Sequence, residues 1–273
     1  MKSTRPLLGT YVVIETKADD DDVARRAVDA GFAAIDTVHR LMSAFDPASD
    51  VSRINQLAHI EAVKVHPWTA EVLELAIAIH ADSGGLFDVG IAPLLANWDM
   101  LPSSSMTYAN SSITNLVIEA GTVRSTAPTR IDLGGIAKGY AVDRAVEAAL
   151  TAGAHSVIVN AGGDLRVAGD AEESVYLRNP RNPKQVALAG MLRDGAVASS
   201  GIYFSKRLHD GALVSAIVEP KSGKPLLDEA SHTIIAPCCA VADALTKVLA
   251  LSGNPHHPAF ARHHAQALTL PTS

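Results

Sequence analysis

A lysine, an aspartate and several glycines stand close together in the segment RIDLGGIAKGYAVDRAVEAAL, residues 130–150. Glycine lets a backbone approach a ligand closely, and the first turn of a helix offers free N–H groups at its positive dipole end. Lys138 adds a full positive charge there, and Asp132 can accept a hydrogen bond from a ligand. The segment therefore predicts a cradle for a phosphate or a pyrophosphate. The alternative is a glycine-rich turn between a strand and a helix, with a solvated lysine.

An aromatic side chain and a carboxylate follow a glycine-flanked turn in SGGLFDVGIAPL, residues 83–94. A flat ligand could pack on Phe87 and bond to Asp88 or to the backbone. The alternative is the C-terminal cap of a helix followed by a core phenylalanine.

A second aromatic side chain, Phe45, stands beside a proline-containing turn in LMSAFDPASDVSRIN. It is a further candidate for contact with a ligand ring. The alternative is a turn that caps the next helix at Asp50 or Ser52.

Two further groups of residues have side chains that bind metals. Asp243 lies near the start of a predicted helix, and Thr246 follows it by one turn, so both could give oxygen ligands to Mg²⁺. The alternative is an aspartate stabilised by the helix dipole and paired with Lys247. Four histidines near the C-terminal end favour a solvated connection, because prolines interrupt them: His256, His257, His263 and His264.

The composition is that of a globular protein. Of 273 residues, 48% are hydrophobic and 19% charged, with a net charge of −6. An acidic balance with 4% aromatic residues argues against nucleic-acid binding. Adjacent Cys238 and Cys239 predict buried free thiols and a reducing compartment. With no apolar run long enough for a signal peptide or a membrane span, we expect a cytoplasmic protein.

The elements that must position these residues mix helices and strands without βαβ regularity, so the sequence predicts an α+β fold. Fingerprints of Rossmann sites, P-loops, zinc proteases and serine hydrolases are absent. The predicted helices cover a segment after Asp19–Asp22, a turn at 51–57, Thr69 to Gly84-Gly85, 139–152 and 240–252. The predicted strands are 7–16, a hairpin over LVIE and TVR, SVIVN, the short strands LRVAG, VYLR, VALAG, GAVAS and VSAIVEP, then HTIIAP and ALTL.

Seven segments in this order resemble the ApbE family, the FAD:protein FMN transferases. They are LGT at 8–10, MSAFDPASDVSRIN, SGGLFDVGIAPLL, IDLGGIAKGYAVD, VNAGGDLRVAG, SAIVEPKSGKP and VADALTKVLALSG. The resemblance covers about residues 7–253, and it implies a single ApbE-like domain over 1–273, with mixed sheets, flanking helices and an FAD cleft between two closely packed lobes. Such enzymes use Mg²⁺, cleave FAD, pass FMN to a threonine or serine hydroxyl of a target flavoprotein and release AMP.

The resemblance also assigns roles to residues of this sequence. Contacts to FAD are implied for Leu8, Phe45, Leu86, Phe87, Asp88, Asp132, Lys138 and Ile217. Metal ligation is implied for Gly135, through its backbone oxygen, and for Asp243 and Thr246. Lys138 and Asp243 are the candidate catalytic residues, because Lys138 and the metal would neutralise charge on the phosphates.

Two positions depart from the family pattern. The family motif Ser-His-x-x-Asp-Pro reads Ser-Ala-Ile-Val-Glu-Pro here, so Ala216 replaces a histidine thought to assist the acceptor hydroxyl. Lys247 replaces a metal-ligating threonine, and its ammonium could pair with Asp243 and displace Mg²⁺, or point away and leave Thr246 to serve. Three hypotheses follow: an FMN transferase, a non-transferring FAD-binding protein or weak FAD pyrophosphatase, and an interaction module that binds no flavin.

Overall fold

The computed structural model describes residues 1–178, 182, 185–202 and 205–270. Its strands are β1 (Lys2–Leu7), β2 (Thr10–Lys17), β3 (Val63–Lys64), β4 (Leu116–Glu119), β5 (Thr122–Ser125), β6 (Ser156–Ala161), β7 (Asp164–Arg178), β8 (Val186–Ser200), β9 (Arg207–His209), β10 (Ala212–Val214), β11 (Ser231–Ala236) and β12 (Gln266–Leu270). Its α-helices are α1 (Asp21–Met42), α2 (Asp50–Leu57), α3 (Pro67–Asp82), α4 (Ala92–Asn97), α5 (Ala137–Thr151), α6 (Cys239–Ser252) and α7 (Pro258–Arg262).

Seven of the strands form the main sheet, in the order β1-β2-β6-β7-β8-β11-β12. Every neighbouring pair in this sheet is antiparallel. A smaller sheet has the order β3-β5-β4, and β9 pairs with β10. The mixture of antiparallel sheets with helices confirms the predicted α+β class.

Three helices pack against the main sheet and against one another. Helix α1 contacts β2 and α5, α5 contacts β6 and β7, and α6 contacts β8, β11 and α5. The sequence favours α1 locally, because the Asp20 carboxylate accepts hydrogen bonds from the N–H groups of Asp22 and Val23. Its apolar residues then face the sheet, with Phe32 and Ile35 fully buried.

One hydrophobic core joins both larger sheets. It includes Val12 and Val159 of the main sheet as well as Val63 and Val123 of the smaller sheet. This shared core supports the single-domain organisation over 1–273, which stays a prediction.

Several predicted elements need correction. Strand β1 was not predicted, and the short strands LRVAG and VYLR are parts of the long β7, as VALAG and GAVAS are parts of β8. Gly169, with a φ of +70°, lies at a register shift in β7, so this glycine marks a bulge rather than a strand end. Helix α2 is capped by the Ser49 hydroxyl rather than at Asp50 or Ser52.

The strand predicted over VSAIVEP is wrong beyond Val214. The Ser215 hydroxyl donates to the backbone oxygens of Ile217 and Leu226, at 3.0 and 2.7 Å. These bonds hold the chain in a turn, and only a single bridge between Val218 and Pro225 follows.

Free thiols stand at the start of α6, with Cys239 fully buried and Cys238 half-buried. This agrees with their predicted role as small core residues. Near the C-terminal end, His257 caps α7 and His263 lies 3.1 Å from the Asp82 carboxylate. Among the described residues, we find no helix with both the length and the apolar character needed to cross a membrane.

Candidate functional site

The glycine-rich turn before α5 exposes the first turn of that helix. The residue before α5, Ile136, gives no side-chain cap, so the free N–H groups of the first turn need other partners. One of them, the N–H of Gly139, donates to Asp243 Oδ2 at 3.1 Å. In the turn itself, the Asp132 carboxylate accepts the N–H of Gly134 at 3.2 Å. Burial raises the pKa of Asp132, although this hydrogen bond opposes the shift.

Helices α5 and α6 cap each other. While Asp243 of α6 accepts from Gly139 of α5, Asp143 of α5 accepts the N–H groups of Cys239 and Ala240 in the first turn of α6, both at 2.8 Å. Such a tertiary cap is possible because the two first turns nearly touch. A Cβ added at Gly139 would lie 2.3 Å from the backbone oxygen of Cys239.

Four charged side chains meet at this contact. Lys138 is paired with Asp164, and Lys247 with Asp243, and both carboxylates are almost fully buried. Burial lowers the pKa of Lys138, but the Asp243 and Asp164 carboxylates outweigh burial and raise it, so the ammonium stays charged. Burial raises the pKa of Asp243, but Lys247 and Lys138 outweigh burial and lower it, so this carboxylate is ionised.

These charges face a cavity of about 370 Å³ between the turn before α5, α6 and the segment after β10. A cavity of this size is in the range of small-molecule sites. It brings together eight of the predicted site residues: Leu86, Phe87, Asp88, Asp132, Gly135, Lys138, Ile217 and Asp243. Both departing positions, Ala216 and Lys247, line it as well.

The two remaining candidates for FAD contact lie in an adjoining cavity of about 450 Å³. Leu8 stands in the β1–β2 turn with a φ of +54°, and the Phe45 side chain is 68% exposed. Asp132 and Lys138 line both cavities. A long ligand whose middle carries phosphates would therefore meet the glycine-rich turn where the two cavities adjoin.

The sequence allowed two interpretations of the segment 86–88, a core phenylalanine or an aromatic side chain at a ligand site, and features of both are present. Phe87 is 4% exposed and belongs to the core, yet it also lines the cavity. The Asp88 carboxylate accepts the N–H groups of Gly90 and Ile113 and the hydroxyl of Ser112. Its oxygens thus hold the loop that forms this wall of the cavity.

Among the described residues, no histidine lines the cavity near Ala216. Ala216 itself is exposed at the cavity wall. His209 lies 3.4 Å from the Asp99 carboxylate, and His232 is buried in β11; neither lines the cavity. The part of the cavity wall that the structure describes therefore contains no imidazole that could move a proton.

Two of the three predicted metal ligands, Asp243 and Thr246, have their side-chain oxygens bonded to protein groups, an arrangement that does not suit a Mg²⁺ ion, while the third, Gly135, would offer only its backbone oxygen. Asp243 is bonded through Oδ2 to Gly139, and its Oδ1 and backbone oxygen accept from the Lys247 ammonium. Thr246 is fully buried, and its hydroxyl bonds to Ser200 and to the backbone oxygen of Asp243. No group of three or more His, Cys, Asp or Glu residues within the described ranges is arranged to hold a metal.

Sequence reasoning missed four polar residues of the site, among them Ser205, which lines the cavity beyond β8. Asp164 pairs with Lys138, and Ser199 and Ser200 line the cavity at the end of β8. Asp164 follows the Gly-Gly turn of VNAGGDLRVAG, one of the seven resembling segments, and that position was the available signal. Ser199 and Ser200 gave no such signal in the sequence, because their place at the cavity depends on the pairing of β8 with β11.

Comparison with known proteins identifies the family. A sequence model described as the ApbE family matches residues 8–270. The chain belongs to the ApbE family. Its relatives include the FAD:protein FMN transferase of Vibrio cholerae, 29% identical over 240 residues, which are 80% of this chain and 71% of that one. The FAD:protein FMN transferase of Rhodobacter capsulatus is 28% identical over 93% of this chain, which spans 52% of that relative.

Solved ApbE structures share the fold. The crystal structure of the ApbE protein from Thermotoga maritima superposes with a TM-score of 0.83 at 27% identity, covering 98% of this chain and 93% of that one. The apo flavinyl transferase ApbE of Pseudomonas stutzeri gives a TM-score of 0.81 at 22% identity, covering 100% and 91%. The ApbE-like fold expected from the seven segments is thereby confirmed.

Proposed function

We propose that this chain is an FAD:protein FMN transferase, which attaches FMN to a threonine or serine hydroxyl of a target flavoprotein and releases AMP. The observation that carries the proposal is the position of Lys138 and the first turn of α5 where two cavities adjoin. This arrangement suits a ligand with a flat group at each end and a pyrophosphate in the middle. The curated relatives carry the same activity in their names.

The reaction transfers the phosphoryl group of the FMN half from the AMP phosphate to the acceptor hydroxyl. The acceptor hydroxyl oxygen forms a bond to the phosphorus of the FMN half, the anhydride bond to the AMP phosphate breaks, and the hydroxyl proton is released. Negative charge grows on the departing AMP phosphate. Lys138 and Lys247, with the N–H groups of α5, would neutralise that charge inside a partly closed cavity, where such interactions are strong.

The other candidate residues would bind and orient FAD. Asp132 would accept a hydrogen bond from a donor on FAD, while Phe45 and Leu8 would give apolar contact in the adjoining cavity. Ile217 and the wall 86–88 would do so in the first cavity. Asp243 would act by holding Lys247 and α5 in place.

The proton of the acceptor hydroxyl has no side-chain base at the position of Ala216. This is the observation that favours the second candidate function, a non-transferring FAD-binding protein or a weak pyrophosphatase that yields FMN and AMP. General bases typically accelerate proton transfer about 10²–10⁴-fold. A transferase without one would be slow rather than inactive.

The test uses the purified chain and its A216H variant, since Ala216 is exposed and leaves room for a ring. Both are incubated with FAD and a purified flavoprotein domain whose FMN is carried on threonine. Covalent flavin is measured by in-gel fluorescence and AMP by chromatography. We expect labelling by the wild type, and labelling about 10²-fold faster by A216H with FAD affinity little changed. AMP without labelled acceptor in both proteins would contradict transfer and support hydrolysis.

The cellular setting is also a proposal. Two free cysteines at the start of α6 favour a reducing compartment, so we propose a cytoplasmic site of action. The partner would be a flavoprotein with a threonine or serine accessible to the cavity that Ala216 lines.

A further inference from the structure

Lys247 stands where the family pattern has a metal-ligating threonine, and its contacts are those of a cation that belongs to the site. Its ammonium donates to the backbone oxygen of Asp243 at 2.9 Å and is also bonded to Asp243 Oδ1. The side chain lies across Gly135, since a Cβ added there would be 3.6 Å from Lys247 Cε. Lys247 is thus bonded to Asp243 and lies beside Gly135, two of the three residues that the resemblance assigns to Mg²⁺.

A divalent ion would have to displace this tethered ammonium. The pair is largely shielded from water, with side-chain exposures of 19% for Lys247 and 2% for Asp243. Like charges repel strongly in such surroundings. The Thr246 hydroxyl is bonded to Ser200 and to the Asp243 backbone oxygen, and Thr246 is fully buried and does not line the cavity, so it offers no replacement ligand there.

The ammonium keeps binding capacity for an anion. A lysine has three N–H donors, and the described residues occupy two of those of Lys247. Lys138, which is hydrogen-bonded to Asp164, lies on the same cavity wall. Lysine is a well-known point-charge ligand of phosphate oxygens.

We propose that the Lys247 ammonium takes the place of a divalent cation, so that this chain binds the pyrophosphate of its ligand without Mg²⁺. The proposal rests on the proposed function for the identity of the ligand as FAD. The pyrophosphate is then bound by the two lysines, whose ammonium groups are held in place by Asp164 and Asp243.

The experiment measures the binding of FAD and of ADP by calorimetry, in excess EDTA and in millimolar MgCl₂. Wild-type protein is expected to bind both ligands with affinities that agree within about 2-fold in the two buffers. K247T, which restores the family residue, should lose at least about 10-fold in EDTA, because a charged hydrogen bond to the phosphate is removed. Mg²⁺ should restore part of this loss.

Two variants serve as controls. K247M removes the charge without adding an oxygen ligand, so Mg²⁺ should not restore its affinity. K2M removes a lysine that is paired with Glu15 outside the site, and its binding should equal that of the wild type. Circular dichroism checks that each variant is folded.

The outcomes separate the two proposals. Wild-type binding of FAD that requires Mg²⁺ would overturn the role of Lys247 and leave the proposed function standing. In EDTA, an affinity of K247M equal to that of the wild type would also overturn the role of Lys247. Binding of ADP without Mg²⁺ but no binding of FAD would support Lys247 as the cation and overturn the proposed function.

Discussion

At the scale of single residues, Asp243 performs several structural tasks at once. Its carboxylate accepts from Gly139 in α5 and from Lys247 in its own helix, and its backbone oxygen accepts from Thr246. A substitution of Asp243 would therefore disturb the docking of two helices as well as the charges of the cavity. Variants of Lys247 change the charge with less effect on the helices, so they are the more informative test.

His232 provides a residue-scale prediction about stability and pH. It is 3% exposed, and neither ring nitrogen has a hydrogen-bond partner among the described residues. Burial lowers its pKa, so the folded protein binds a proton less readily than the unfolded chain does. The free energy of unfolding should therefore fall as the pH drops below the unfolded value of about 6.5.

The H232L variant should remove this part of the pH dependence. At pH 8, where the imidazole is neutral in both states, we expect it to be as stable as the wild type or more stable by about 1 kcal/mol. Between pH 7 and pH 5 its stability should fall less. Urea unfolding at several pH values measures both effects, and an unchanged slope in H232L would contradict the assignment.

At the scale of elements, the crossing of α5 and α6 depends on Gly139. A Cβ there would meet the backbone oxygen of Cys239 at 2.3 Å and Asp243 Cβ at 2.8 Å. Neither atom can rotate out of the way as the end of a side chain could, so G139A should force the two helices apart. We expect it to lower the free energy of unfolding by about 2 kcal/mol or more, although alanine is the better helix former. FAD affinity should fall as well, because Lys138 and Asp243 would separate.

The matched control for G139A is G31A, at another helix contact. Its Cβ would meet the end of the Ile14 side chain at 2.9 Å, which can rotate, and the backbone oxygen of Ala145 only at 3.3 Å. We expect a smaller loss of stability and unchanged FAD binding. Equal free energies of unfolding of G139A and G31A in urea would contradict a tight crossing of α5 and α6 at Gly139.

Elements with local signals were predictable from the sequence. One of the aspartates at the start of α1, Asp20, caps that helix, and the Gly84-Gly85 pair follows the end of α3 at Asp82. Ala120 and Gly121 both adopt a positive φ in the turn of the predicted β4–β5 hairpin. In each case the residues that determine the boundary lie within a few positions of it.

The contacts that build the site are long-range, which is why the sequence left them open. Lys138 meets Asp164 across 26 positions, and Asp143 meets Cys239 across 96. No local pattern specifies such pairs; only the family resemblance placed most of the segments together. Even that resemblance left open whether Lys247 points toward Asp243 or away from it.

At the scale of the whole molecule, the cavity walls come from separate parts of the chain. The lining residues are Gly162 and residues in the segments 86–95, 132–138, 199–205, 216–218 and 243–251. Binding of FAD should therefore raise the free energy of every opening that separates these walls, by about 2.7 kcal/mol at a hundredfold excess over Kd. The sheet β3-β5-β4 contributes no residue to these walls and serves as an internal control.

Hydrogen–deuterium exchange measures this prediction. With FAD, amides of 86–95, 132–138 and 243–251 should all exchange more slowly, while those of β3, β4 and β5 should change less. Protection limited to one segment would mean that FAD does not occupy the cavity between them.

The mutual capping of α5 and α6 also has a consequence for how the chain is made. When α5 leaves the ribosome, its Asp143 still lacks the N–H group of Cys239, which is 96 positions further on. At about 5–20 residues per second, that delay is roughly 5–20 s. During this interval the glycine-rich turn has its sequence but not its partner helix. The chain therefore gains its cradle only after α6 has been made, well after the glycine-rich turn itself has left the ribosome.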